Sequence, residues 1–358
     1  MADLHVAHDA VQSPYAEMSW QQYQAIADRV MHRFEGHFRR DHFLYNHPDF
    51  LQPQAPERFR KTYSVRVGYY SWGDSSRPLL MCLGGVANVA RRFSYLGLDL
   101  KDHYHVVCPD WVGRGESGWM ADQGDYNLGT YVEQTRQLIA HLDAREVFIL
   151  GSSMGGSVAI ELASAHPGLV QRLILNDIGP YIAAARRVRR AQTLARHYVF
   201  RTPAEMFRKT GAAQKNDGPA SDDARLNGSY GQTRWSDEEG GRVYRHDLRA
   251  LLEYQRASGK SVRQWAQWER LDIPILVIRG NETDALLPET LKRMQKKKFV
   301  TSMHIPFTGH TPTLSDPNHI ACIGAWLRDD PALTREFSSP YAPLPPGSEK
   351  RTGARPLI

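Results

Sequence analysis

A serine hydroxyl performs acyl transfer only when a base takes its proton and a third group holds that base. Ser153, in Gly151-Ser152-Ser153-Met154-Gly155, has the setting for it. The apolar run EVFIL precedes it and SVAIELASAHP follows, so the serine falls on a sharp strand-to-helix turn. Small residues suit such a turn, because strand and helix pass too closely for a Cβ. Among the fifteen histidines, His310 in PFTGHTP is best placed as the base. It follows the strand-like run Phe299–Ile305, in a Gly-containing loop ahead of the last helix. Asp284, in RGNETDALLP beyond the strand-like run Ile273–Ile278, is the preferred acid. The 26 residues from it to His310 accommodate a helix, a strand and a return loop. Asp177 in LNDIGP and Glu282 are the alternatives, and Asp177 also reads as a brace of the turn before Gly179-Pro180.

The elements that must position these residues follow a rhythm. Strand-like runs at Pro78–Leu83, Tyr104–Pro109, Val147–Leu150 and Arg172–Leu175 alternate with helical patterns at Tyr126–Leu142 and up to His166, where Pro167 stops the helix. Continuous apolar strands between helices predict an α/β fold whose mostly parallel sheet is covered on both faces. Residues 61–180 and 269–328 form that core. Residues 181–268 break the rhythm and read as a helical cap. Residues 1–60 read as a helical extension, with an amphipathic helix over Ser19–Phe38, and 60–72 as a half-buried strand pair. The Pro-rich segment 329–358 reads as an extended tail.

Composition excludes several classes. Charged residues are 23% and apolar residues 41%, which is ordinary for a globular chain. No apolar run approaches the ~18 residues of a membrane span. Three cysteines cannot build a disulfide scaffold, and the first ten residues lack the basic and apolar regions of a leader, so a cytoplasmic protein is expected. The net charge of +6 is spread out, with clusters at Arg186, Arg187, Arg189 and Arg190 and at Lys292–Lys298. These read as solvated helix faces, or as attraction for an anionic substrate, and no recognition module for nucleic acid surrounds them. The histidines at 32, 37, 42 and 47 do not keep one helical face, and no metal-ligand or phosphate-loop motif is present, so neither metal nor cofactor is expected.

Five segments in order, LLMCLGGVAN, CPDWVGRGESG, LGSSMGG, LILNDIGP and VIRGNETDALLP with FTGHTP, resemble capped α/β-hydrolases of the esterase, lactonase and C–C-bond hydrolase group. The resemblance spans about residues 60–328. It implies a Ser153, Asp284, His310 triad and an oxyanion hole from the backbone N–H groups of Met154 and Val86. Gly84 stands where the family often has a histidine that braces the oxyanion loop. The resemblance also implies that Asp110 holds the turn after its strand, and that Trp111 lines the acyl pocket or belongs to the core. The implied partner is a small-molecule acyl substrate. Hydrolysis of a C–C bond and non-catalytic ligand binding use the same residues and stay open as alternatives.

Overall fold

The computed structural model describes residues 17–47, 63–214 and 217–330. The leader reading of the first ten residues and the tail from 331 onward lie outside them. Among the described residues the chain opens with α1 (Trp20–His32), capped by Ser19, then β1 (Phe38–Asn46), β2 (Ser64–Trp72) and β3 (Leu79–Leu83). Next come α2 (Ser94–Leu100), β4 (His105–Pro109), α3 (Leu128–His141), β5 (Val147–Ser152), α4 (Met154–Ala165) and β6 (Arg172–Asn176). The segment expected to be a helical cap holds β7 (Tyr181–Ile182), α5 (Ala184–Leu194), β8 (Val199–Phe200), α6 (Pro203–Gln214), α7 (Asp222–Gln232), β9 (Thr233–Ser236), β10 (Gly241–Tyr244), α8 (Leu248–Ala257), β11 (Val262–Arg263) and α9 (Trp265–Arg270). The chain then returns through β12 (Ile275–Gly280), α10 (Pro288–Met294), β13 (Val300–Ile305) and α11 (Pro317–Leu327).

The main sheet has eight strands in the order β1-β2-β4-β3-β5-β6-β12-β13. Its first two pairings are antiparallel and the rest parallel. The central strands are buried along their whole length and divide their side chains between two cores. Met81, Ile149, Leu175 and Val277 pack with Val158 and Leu162 of α4. Leu80, Cys82, Leu150, Ile174 and Ile278 pack with Leu96, Ile320 and Ile323 of α2 and α11.

Two expectations are corrected here. The N-terminal extension is not helical throughout: β1 pairs with β2 along nine residues, Phe38 opposite Trp72 to Asn46 opposite Ser64. The alternation at 60–72 is therefore one strand, and its antiparallel partner lies upstream. Nor is the insertion purely helical. It carries a three-stranded sheet in the order β8-β10-β9, and the β7–β11 ribbon ties the chain where it leaves the core to where it comes back. Tyr23, Ala27 and Val30 of α1 pack on Phe200, Met206 and Leu226, so the N-terminal helix grips the insertion while β1 is fixed in the core sheet.

Candidate active site

The register of the sheet brings the chemistry together. Ser152 at the end of β5 pairs with Asn176 at the end of β6, so Ser153 and Asp177 leave the same sheet edge side by side. Both take left-handed backbone conformations, with φ of 52° at Ser153 and 55° at Asp177. A non-glycine residue held this way costs about 1–3 kcal/mol, which the surrounding packing must offset. At the turn, a Cβ on Gly155 would run into the carbonyl of Leu83, so only glycine lets α4 start this close to β3.

His310 lies between the two. Its Nδ1 is 2.8 Å from Asp177 Oδ2 and its Nε2 is 3.0 Å from Ser153 Oγ. With the proton on Nδ1, the ring donates to Asp177 and accepts from the serine hydroxyl. Asp177 is fully buried, and it also accepts from the Thr283 hydroxyl at 2.5 Å and the Gly280 N–H at 3.2 Å. A carboxylate with this many donors is held in one orientation. The histidine loop is fixed as firmly. Arg92 donates to the Thr311 carbonyl at 2.8 Å, and Asn176 donates to the Pro312 carbonyl at 2.9 Å and to Ser152 Oγ at 2.8 Å. A Cβ on Gly280 would collide with the carbonyls of Thr308 and Gly309, so this glycine admits the loop against β12. Burial pushes the His310 imidazole below its usual value of 6.5; the charges of Arg186 and Arg190 act in the same direction and Asp177 opposes them. The ring is thus neutral, and able to accept a proton, at neutral pH.

Asp284 is not the residue that reaches His310. Its carboxylate, more than half exposed, pairs with Arg186 Nε at 2.8 Å and Arg189 Nη2 at 3.2 Å. Burial would raise its pKa, yet these two guanidiniums hold it below the ordinary carboxylate value. The reason for the correction is local. β12 ends at Gly280, and the loop behind it turns Thr283 towards Asp177 and Asp284 towards α5. Glu282, the third carboxylate, lines the cavity above the serine.

The loop after β3 lies against the serine: a Cβ built on Gly85 would stand 3.5 Å from that of Ser153. Each of its three residues is fastened through the backbone. Trp111 Nε1 donates to the Gly84 carbonyl at 2.9 Å, Asn88 Oδ1 accepts from the Gly85 N–H at 2.9 Å, and Arg114 Nε donates to the Val86 carbonyl at 3.0 Å. Asn88 and Arg114 thus brace a loop that has Gly84 where a histidine was expected. Neither the Val86 N–H nor the Met154 N–H donates to a protein group among the described residues. Of the two readings of Trp111, pocket or core, the structure has the core: it is 1% exposed, packs on Tyr131 and is not among the cavity-lining residues. Asp110 holds the neighbouring turn, accepting from the Ala90 N–H at 2.7 Å and the Glu116 N–H at 2.9 Å, and burial pushes its pKa up to about 6.

Ser153 and His310 open onto a cavity of about 570 Å³. Core loops line one side and α5, α6 and α8 the other. Arg186, Arg189 and Arg190 all line it, Arg186 buried and the other two exposed; Arg187 points away, bonded to the carbonyls of Ala257 and Lys260. Among the described residues no group of three or more His, Cys, Asp or Glu is arranged to hold a metal ion, and no helix is long and apolar enough to cross a membrane.

A model of the alpha/beta hydrolase family matches residues 68–320. The chain belongs to that family. It is 31% identical to a 3-hydroxybutyrate-oligomer hydrolase of Cupriavidus necator over 265 residues, which are 72% of this chain and 90% of the relative. A putative hydrolase from Rickettsia typhi superposes with a TM-score of 0.72 at 22% identity, covering 82% of this chain and 99% of that one. An alpha/beta hydrolase from Novosphingobium aromaticivorans gives a TM-score of 0.69 at 25% identity, over 82% and 98%. Family and relative support hydrolysis as the activity of this alpha/beta hydrolase.

Proposed function

We propose that this alpha/beta hydrolase cleaves an ester of a small acid through an acyl-enzyme on Ser153, with His310 as base and Asp177 as the acid that orients it. The observation that carries the reading is the unbroken hydrogen-bonded chain from Ser153 Oγ through both ring nitrogens of His310 to Asp177. Ser153 Oγ attacks the carbonyl carbon while its proton passes to His310 Nε2. Asp177 stabilises the imidazolium that forms. The N–H groups of Met154 and Val86 receive the oxyanion; Met154 begins α4, so the helix dipole favours negative charge there. The tetrahedral intermediate collapses, the alkoxide leaves with the proton from His310, and the acyl group stays on Ser153. A water then gives a proton to His310 and attacks the acyl carbon. Collapse of the second intermediate returns that proton to Ser153 and releases the acid.

The substrate reading follows from the cavity and the relative. Five cations, Arg92, Arg186, Arg189, Arg190 and Lys209, face three carboxylates, Asp217, Glu282 and Asp284, which leaves the cavity positive. That suits an acidic ester, and the Cupriavidus relative is a hydrolase of 3-hydroxybutyrate oligomers. Short oligoesters of a hydroxy acid are the substrates proposed, with the insertion acting as a cap over them. The buried free thiols of Cys82 and Cys108 agree with a reducing, cytoplasmic setting. The test is release of 3-hydroxybutyrate from its linear dimer, followed by NMR. Steady turnover by the native chain, with Ser153→Ala inactive, is expected; no turnover of the dimer, or turnover that survives in Ser153→Ala, contradicts the reading.

A further inference from the structure

The cavity's cations differ in what already engages them. Arg186 and Arg189 are committed to Asp284. Arg92 donates to the Thr311 carbonyl and stands 3.6 Å from Asp217. Lys209 sits over the Tyr198 ring, 4.2 Å from its centroid. Arg190 has no hydrogen-bond or ion-pair partner among the described residues, although Asp217 is near enough for its charge to be felt. It lies one helical turn beyond Arg186 on α5, with Thr193 and Leu194 on the same cavity-facing side. Its charge also reaches the ring of His310. An unpaired guanidinium that lines a nucleophile's cavity is a ready receptor for a carboxylate.

We propose that Arg190 receives the free carboxylate of an ester substrate, and that this carboxylate belongs to the alcohol portion that leaves. The proposal rests on the ester-hydrolase reading, and chemistry settles the side. In a linear hydroxy-acid oligoester the free carboxylate sits at the end reached through the ester oxygen, so in a dimer only the leaving portion carries it. The acyl portion ends in a hydroxyl. Arg190 therefore selects where the chain is cut: the bond next to the carboxylate terminus is presented to Ser153, and one hydroxy acid departs per cycle. Neutralising its charge with the substrate carboxylate also removes one of the influences that depress the His310 pKa, which strengthens the base when substrate is in place.

The test separates binding from turnover. In a Ser153→Ala background, calorimetry measures the dimer of 3-hydroxybutyrate as its free carboxylate and as its methyl ester. The carboxylate should bind about 10- to 100-fold more tightly than the ester, the range of a charge-assisted bond. Adding Arg190→Gln should reduce that preference to near one, and Arg190→Lys should restore part of it; thermal unfolding of each variant confirms that it folds. A missing preference, or one that persists in Arg190→Gln, overturns the assignment. Turnover of the dimer by the native chain is read separately. Arg190-dependent binding without turnover contradicts only the hydrolase reading, and turnover without Arg190 dependence contradicts only the carboxylate site.

Discussion

Ser153, Asp177 and the loop of His310 stand at the ends of adjoining strands, and backbone groups hold them: left-handed turns, glycines that admit close neighbours, and carbonyls gripped by Asn176, Arg92, Trp111 and Arg114. Arg186, Arg189, Arg190 and Lys209 stand on helices of the insertion; side chains alone hold three of them, Arg186 and Arg189 through Asp284 and Lys209 through the Tyr198 ring. The first half of the cavity is over-determined, so its geometry is fixed before substrate arrives. The second half has fewer fixed points: the Arg189–Asp284 pair is exposed on both sides and contributes only about 0–1 kcal/mol. Substitutions in the core half should therefore act on kcat, and those in the insertion half on the preference among substrates.

The largest expected contrast is within the carboxylates. Asp177→Asn should lower kcat by about 10³ to 10⁴, since it loses the group that fixes the tautomer of His310. Asp284→Asn should change kcat by less than about tenfold, because the carboxylate is bonded to Arg186 and Arg189 and not to His310. Steady-state kinetics on one ester checks both, and the reverse ranking would return the acid role to Asp284. A smaller effect is expected at Asn88. Removing its grip on the Gly85 N–H loosens the loop that carries the proposed Val86 donor, so Asn88→Ala should lower kcat about 10- to 100-fold with KM little changed. A rise in KM at constant kcat would mark Asn88 as a substrate contact instead.

The smallest effect is a shift in pH dependence. His310 must be neutral to accept a proton, and its pKa lies below 6.5. Hence kcat/KM for an uncharged ester should rise with pH through an inflection below 6.5 and be level near neutrality. The groups facing His310 are Ser153, Asp177, Arg186, Arg190 and Asp284. Arg190→Gln removes a positive charge and should move the inflection upward. A profile whose inflection stays in place would mean that the insertion's charges do not reach the base.

What could be read from the chain follows the same division. The strand-to-helix turn at Ser153 and the strand rhythm were legible because backbone geometry demands glycines and apolar runs in those places. The placement of His310 beside Ser153 was legible from its position after the last strand. The acid was not, since chain order admits Asp284 and Asp177 alike and the spacing to His310 favoured Asp284. The deciding signal is register: Asn176 pairs with Ser152, which sets Asp177 beside Ser153. The extra strand β1 was hidden because its sequence, FRRDHFLYN, is polar at most positions and buries only Phe43 and Tyr45. Asn88 and Arg114 carry no local pattern, and their roles exist only once the chain folds a distant carbonyl or N–H against them.

The claim on which the rest depends is covalent chemistry at Ser153. The protein is mixed with p-nitrophenyl butyrate, quenched in acid during the first turnover, digested, and its peptides weighed. A burst of p-nitrophenolate equal to the protein concentration is predicted, with the butyryl group on Ser153 within the peptide that spans Gly151–Gly156. Hydrolysis with no acyl adduct, or an adduct on Ser152 in place of Ser153, would contradict the account.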